Sequence, residues 1–477
     1  MSFVLEGKVK LERKVKDIMK RPFKVFVAIV LGIGLLVGCS NGQGDAEGDI
    51  QSVGLVAEDA EGQRQDGERI TLTLGTVGRG SDGMLKTVVE AYNAQGRKYN
   101  IEIVDYLPEN YDNAVWEASE DRFKMDLATG KGTDIVDLYS LEASELGYRG
   151  ILADLNGFMT PQERQERYLA NILDAVQTGD ALFEMGPSFS LWTIVGDSSR
   201  VGSGNGWTLG EMLKCFEKNG RDAEALTGLY LGQSIATLLT QFSLEEFVDW
   251  ETGKADFCNQ KFYEILEFGA QLGGEPTARV HPTRESIASG IHMAYMDMLL
   301  NVADVQYMDW LFGGNMAFKG FPCNSGTGVA VSLYYGIGIN ENSQCKEGAW
   351  DFLKFYVAGS WAAENTWMIT GFPLDRQAFE EELGWAMVQE YRDGKPIPKN
   401  INSDAEGPAI YAATEEEIER VRELIGLADR RMESNSVINR IIDEEVNGYN
   451  SGSLTAEQTA QKIQNRVQLY LDEHKQG

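Results

Sequence analysis

Between Ile70 and Leu155 two hydrophobic periods alternate in a fixed order, and that alternation constrains the fold of this chain more than any other feature. ITLTLGTVG (Ile70–Gly78) has the period of two of a half-buried strand and ends in glycine. MLKTVVEAYNAQG follows, with Leu85, Val88, Val89 and Tyr92 at helical spacing. A second strand, YNIEIVDYL, precedes the helical stretch NAVWEASEDRFKMDLATGKG, which closes on glycine as a helix C-cap does. DIVDLYS (Asp134–Ser140) reads as a third strand, followed by a short helix and ILADL. Strand–helix–strand–helix in this rhythm predicts parallel strands with crossover helices, an α/β chain.

Beyond Gly186 and Pro187 the pattern becomes mainly helical over residues 206–250. Thr208 in GWTLGEMLKCFEK is a good N-cap, with Glu211 three positions on. MAFKGFP and GVAVSLYYGIGIN read as strands, and ENSQCKEGAWDFLKFYV as a loop plus amphipathic helix. From Thr414, itself an N-cap before three glutamates, helix-favouring sequence runs to the end. The roughly 410 residues after Asp66 exceed what one core comfortably supports, so two lobes are expected.

The N-terminal region has a different character. Val25–Gly38 is a 14-residue uncharged apolar run, short of the ~20 residues a spanning helix needs. It suits the core of a signal peptide, with Lys20, Arg21 and Lys24 as the basic region before it. That places the functional start at Met19, with residues 1–18 as an upstream extension and 1–38 as the removed leader. Leu36, Val37, Gly38 and Cys39 resemble the junction cleaved in bacterial lipoproteins. The resemblance implies a diacylglyceryl group on Cys39, and two acyl chains hold a protein on a bilayer stably. The alternative is a true membrane anchor. Residues 39–66, rich in Gly, Asp, Glu, Gln and Ser, read as a flexible stalk.

Charge excludes some partners. With 43 Lys and Arg against 73 Asp and Glu, the net charge of −30 repels nucleic acid and anionic headgroups. Cys215, Cys258, Cys323 and Cys345 are scattered, without metal-ligand spacing, and read as buried small hydrophobes. Cys323–Cys345 is the one candidate bridge. His281, His292 and His474 are the only histidines, and no HExxH, GxSxG or phosphate loop is present. GPSFS at 186–190 lacks the last glycine of a nucleophile elbow, and CNSGTG at 323–328 lacks the lysine of a phosphate loop.

Four segments together resemble the family 1 extracellular solute-binding proteins, the sugar-capturing subunits of ABC importers. They are ITLTLGTVG with LKTVVEAYNAQGRKYNIEIVDY, then LATGKGTDIVDLYSLEASELGYRGILADL, then GWTLGEMLKCFEK, then VAVSLYYGIGINENSQCKEGAWDFLKFYV. The match covers most of residues 67–375. Residues 376–477 match less clearly, and EELGWAMVQEYRDGKPIPKNIN resembles an insertion. The resemblance implies a two-lobed, periplasmic-binding-protein-like α/β fold of type II, its lobes joined by crossing strands. Lobe 1 would hold residues 67–190 and 328–358, and lobe 2 residues 191–327 and 359–477, including the helical C-terminal region. The crossings are expected near Gly186–Val195 and near Phe321–Gly328.

The function implied is capture of a carbohydrate, an oligosaccharide, in the inter-lobe cleft and its delivery to two permease subunits. No enzyme activity, cofactor or metal is implied. The protein would act as a monomer outside the plasma membrane, held there by its lipid alone. A sugar cleft wants aromatic rings beside carboxylate and amide groups. The candidates at predicted strand ends or crossings are Tyr139, Trp192, Trp310, Tyr334 and Trp367, with Asp137 as the carboxylate. Arg79 and Asp82 are weaker ones, and core packing or helix capping is the competing role for each. An exported glycoside hydrolase or a receptor for a non-sugar solute such as a peptide are the alternatives. A hydrolase needs two carboxylates at a defined separation, which 73 acidic residues can neither supply nor exclude by sequence.

Overall fold

Alternating Leu72 and Leu74 bury one face of β1 (Ile70–Thr76), and this strand lies inside the first of the two large sheets. The computed structural model describes residues 69–80, 83–219, 225–228, 234–271, 281–324, 326–362, 369–399, 407–432 and 435–473. Expectations for the leader, Cys39, the stalk, Asp82, Trp367 and His474 lie outside those residues.

β2 (Tyr99–Asp105) and β3 (Ile135–Asp137) flank β1 in parallel, joined through α1 (Gly83–Ala94) and α2 (Asn113–Ala128) as the sequence predicts. Successive residues feed opposite faces of this sheet. Ile135 packs with Leu85, Val88 and Tyr92 in one core, while Val136 packs with Phe123 and Leu127 in another. α2 ends at Thr129, and Gly130 follows at φ +70, the left-handed position that glycine fills after a helix.

The second sheet is built on β4 (Ser188–Asp197), all ten residues of which are buried. Around it lie β5 (Leu226–Gly228), β6 (Ala294–Leu299), β7 (Met316–Phe318), β8 (Val329–Tyr334), β10 (Phe372–Pro373) and β11 (Ala428–Arg431). β9 (Ile337–Ile339) returns to the first sheet, antiparallel to β3 with Asp137 opposite Ile337. GVAVSLYYGIGIN is therefore two strands rather than one, broken at Tyr335 and Gly336, and its halves belong to different sheets.

Phe321–Gly328, where a second crossing is expected, instead joins β7 to β8, and both strands pair with β4. Packing explains the difference. Phe321 stacks on Phe242 with ring centroids 3.6 Å apart, and its N–H closes the turn on the Gly328 carbonyl. The four cysteines are free thiols. Cys323 sits in that turn beside the second sheet, and Cys345 precedes the helix that follows β9, so the candidate bridge is not formed.

Helical expectations in the second half are met locally. Thr208 and Glu211 cap Leu209–Asn219 reciprocally, and Thr414 with Glu417 forms a capping box on Glu415–Leu427. The C-terminal helices α3 (Ser436–Asn450) and α4 (Ala456–Glu473) pack on each other and on Ile235–Phe242 and Gln260–Gln271. Ile438, Ile442, Val446, Ile463 and Val467 are their contribution to the core on the far face of the second sheet. Among the described residues no helix is long and apolar enough to cross a membrane.

Candidate functional site

Two chain segments pass between the sheets side by side. Met185 and Ile337 exchange backbone hydrogen bonds at 3.1 and 2.9 Å, and Ser188 then faces Tyr334 in the second sheet. Gly186 lies between them, and a Cβ there would sit 2.3 Å from the Tyr334 carbonyl oxygen. Only glycine allows that approach.

A cavity of about 450 Å³ opens beside this seam. Tyr139 and Glu142 line it from the end of β3, Tyr334 and Tyr335 from the crossing, and Glu184 and Arg431 as an ion pair. A second cavity of about 680 Å³ shares Glu142 and continues along Glu120, Lys124, Glu145 and Arg149 to Asn435 and Tyr470. Its far wall is thus formed by the C-terminal helices. The Tyr470 hydroxyl donates to Glu145 Oε2 at 2.9 Å and accepts from Asn435 Nδ2 at 3.2 Å. Burial pushes the Tyr470 hydroxyl pKa up, so it stays a donor.

Asp137 ends β3 with its side chain turned inward. Thr76 Oγ1 donates to one oxygen at 2.6 Å and Arg79 Nη1 to the other at 2.8 Å. Burial pushes the Asp137 carboxyl up, against the Arg79 guanidinium and the Thr76 hydroxyl, which pull it down. The Arg79 guanidinium also lies 5.3 Å from the Tyr139 ring centroid and 4.9 Å from that of Tyr335. Neither Arg79 nor Asp137 lines the cavity; they hold its wall.

The other candidates separate into two groups. Tyr139, 61% exposed, and Tyr334, whose hydroxyl donates to Met298 Sδ at 3.3 Å, both face the first cavity. Trp192 is buried in the core beyond the second sheet, 5.6 Å from Phe242, and its Nε1 has no hydrogen-bond partner among the described residues. Trp310 lies on the helix Val302–Leu311, under the Arg284 guanidinium and beside Tyr307, and lines neither cavity. The residues that sequence reasoning missed are Tyr335, Glu142, and the Glu184–Arg431 pair. The Tyr-Tyr-Gly run at the end of a strand was the available signal for the first. Among the described residues no cluster of His, Cys, Asp or Glu could hold a metal ion.

Two α/β sheets joined by adjacent crossings, with cavities beside them, make the fold that of the two-lobed periplasmic binding proteins. One solved structure of this kind is the sugar-binding protein MalE from the phytopathogen Xanthomonas citri. It matches at a TM-score of 0.51 and 12% identity, over 84% of this chain and 98% of that one. A family 1 extracellular solute-binding protein from Alicyclobacillus acidocaldarius matches at 0.48 and 13%, over 85% and 100%. A cyclic α-maltosyl-1,6-maltose binding protein from Arthrobacter globiformis matches at 0.49 and 13%, over 85% and 100%. No protein-family model and no curated protein sequence matches the chain.

Proposed function

We propose that this chain is the extracellular ligand-capturing subunit of an ABC importer and binds an oligosaccharide in the cleft beside the seam. The observation that carries the reading is the joining of two sheets by adjacent crossings next to a cavity faced by Tyr139, Tyr334 and Tyr335. Cavities of about 450 and 680 Å³ sharing Glu142 fall in the range of small-molecule sites. Together they accommodate several linked sugar rings better than one. Aromatic faces would stack on sugar C–H surfaces, and Glu142 and Glu184 would accept hydrogen bonds from sugar hydroxyls. The solved sugar-binding protein from Xanthomonas citri, which has this fold, supports the ligand class.

Capture involves no bond making. Ligand bridging the two walls shifts the population toward a closed form, which docks on two permease subunits. Cys39 carries the lipid that keeps the protein at the outer face of the plasma membrane, and residues 39–66 give it reach. A thermal-shift screen against oligosaccharides tests the ligand claim, since a specific ligand raises the melting temperature by mass action. No response to any glycan, together with hydrolysis of a chromogenic glycoside, would replace it with a hydrolase. Labelled fatty acid incorporated by the native chain but not by Cys39→Ser tests the anchor.

A further inference from the structure

Among the described residues, only Tyr335 and Asp393 combine a side chain with a positive φ, at +56 and +51. Asp393 occupies the tight turn between Tyr391–Arg392 and Lys395–Pro396, where a short polar residue tolerates that backbone. Tyr335 is bulky and stands where glycine would be the easy choice. At the next residue, Gly336, a Cβ would lie 2.2 Å from Glu184 Oε2, the end of a side chain paired with Arg431.

Three restraints hold Tyr335 in that conformation. Its carbonyl accepts from the Tyr356 hydroxyl at 2.8 Å, its ring lies over Arg79, and the chain on its two sides is pinned in different sheets, at Tyr334 and at Ile337. Arg79 in turn is fixed by Asp137 and carries the Tyr139 ring on the same guanidinium. One buried cation therefore sets the positions of two rings that both line the cavity, Tyr139 from the end of β3 and Tyr335 from the crossing. Its charge is neutralised by Asp137, so the two rings frame a surface for an uncharged ligand rather than for an anion.

We propose that Tyr335 is a ligand-contact residue kept at a strained backbone position for the sake of its ring, with Tyr139 as its partner and Arg79 as the positioning residue for both. The ligand class is a neutral sugar with an apolar C–H face, which rests on the function proposed above. Backbone strain of this kind persists where the surroundings over-determine it, and it gathers at ligand clamps.

Tyr335→Phe, Tyr335→Ala, Tyr335→Gly and Arg79→Lys in the full chain test the assignment. Melting temperature is read without ligand, and affinity by calorimetry with maltotriose, cellotriose, acarbose and cycloalternan. Tyr335→Gly and Tyr335→Ala lose the same ring, so a higher melting temperature for the glycine variant, by about 2 °C, isolates the strain. For whichever sugar binds the native chain, both variants should bind at least about tenfold more weakly and Tyr335→Phe within about twofold. Arg79→Lys keeps the charge but not the planar stack, and should weaken binding by about threefold or more. Tyr335→Gly binding like the native chain, or Tyr335→Ala melting at or above Tyr335→Gly, overturns the proposal. Silence of the native chain toward all four sugars overturns the ligand contact together with the proposed function, while the melting order still judges the strain on its own.

Discussion

Arg79 Nη1 and Asp137 Oδ1 meet at 2.8 Å, with the two side chains only 4% and 1% exposed. A charge pair so far from water is costly to break from one side, because the remaining charge has lost its counterpart. Arg79→Met and Asp137→Leu should each lower unfolding stability by about 3–5 kcal/mol, whereas the double variant should return close to the native value. In Arg79→Met the orphaned carboxyl prefers its proton, so that variant loses further stability as pH rises from about 4 toward neutrality. Urea unfolding midpoints at two pH values measure both effects. Additive losses in the double variant would show that the pair does not act as a unit.

Tyr139 and Trp192 were equal candidates by residue type, and their burial separates them. Tyr139 is 61% exposed and Trp192 only 6%. Tyr139→Ala should change stability by no more than about 0.5 kcal/mol while reducing the sugar-induced rise in melting temperature. Trp192→Ala removes a buried indole from its contact with Phe242 and should cost about 3–5 kcal/mol. A Tyr139 variant that melts early, or one that keeps its full ligand response, would contradict this division.

The first sheet was legible because its signal is local. β1, β2, β3 and their two helices each carry one period over seven or more residues, or sit between elements that do. The crossing was not legible, since Val331 and Ile339 are equally apolar and nothing within GVAVSLYYGIGIN says that they join different sheets. Only their partners, Leu191 and Ile135, decide it. At the site, Asp137 could be picked out as a carboxylate at a strand end. That its first obligation is to Arg79, 58 residues earlier, is a tertiary fact. Tyr335 was passed over in favour of its neighbour because a backbone dihedral angle leaves no mark on composition or period.

The hydroxyl of Tyr470 links the last helix to Glu145 on Ala143–Tyr148, across the second cavity from the sheet that the C-terminal helices cover. A hydrogen bond to a charged acceptor contributes about 1.5–3 kcal/mol. Glu145 also meets Arg149 at 3.4 Å, so its carboxylate keeps one partner when the hydroxyl is removed. Tyr470→Phe should therefore cost about 1–2 kcal/mol and speed hydrogen exchange in Ala143–Tyr148 more than in α1. Unchanged exchange in that helix would mean the contact does not hold the two regions together.

Asp304 supplies a pH signature that is independent of ligand. It stands in the first turn of Val302–Leu311, where its Oδ2 accepts from the Leu300 N–H at 2.7 Å and Asn301 Oδ1 accepts from its own N–H. Burial pushes its carboxyl from 3.8 up to about 6, the Leu300 bond opposes that shift, and Asp297 adds to it. Because the folded value is the higher one, the unfolded chain ionises first. The contribution of Asp304 to stability is therefore greatest below about pH 4, falls as pH rises to about 6, and is level above that. The ionised group costs roughly 3 kcal/mol at neutral pH, more than the ~0.5 kcal/mol its charge gains at a helix N-terminus. Asparagine keeps an acceptor for Leu300 and removes the charge. Asp304→Asn should therefore melt with the native chain near pH 4 and about 3 °C above it at pH 7. A gap of the same size at both pH values would place the effect in packing rather than ionisation.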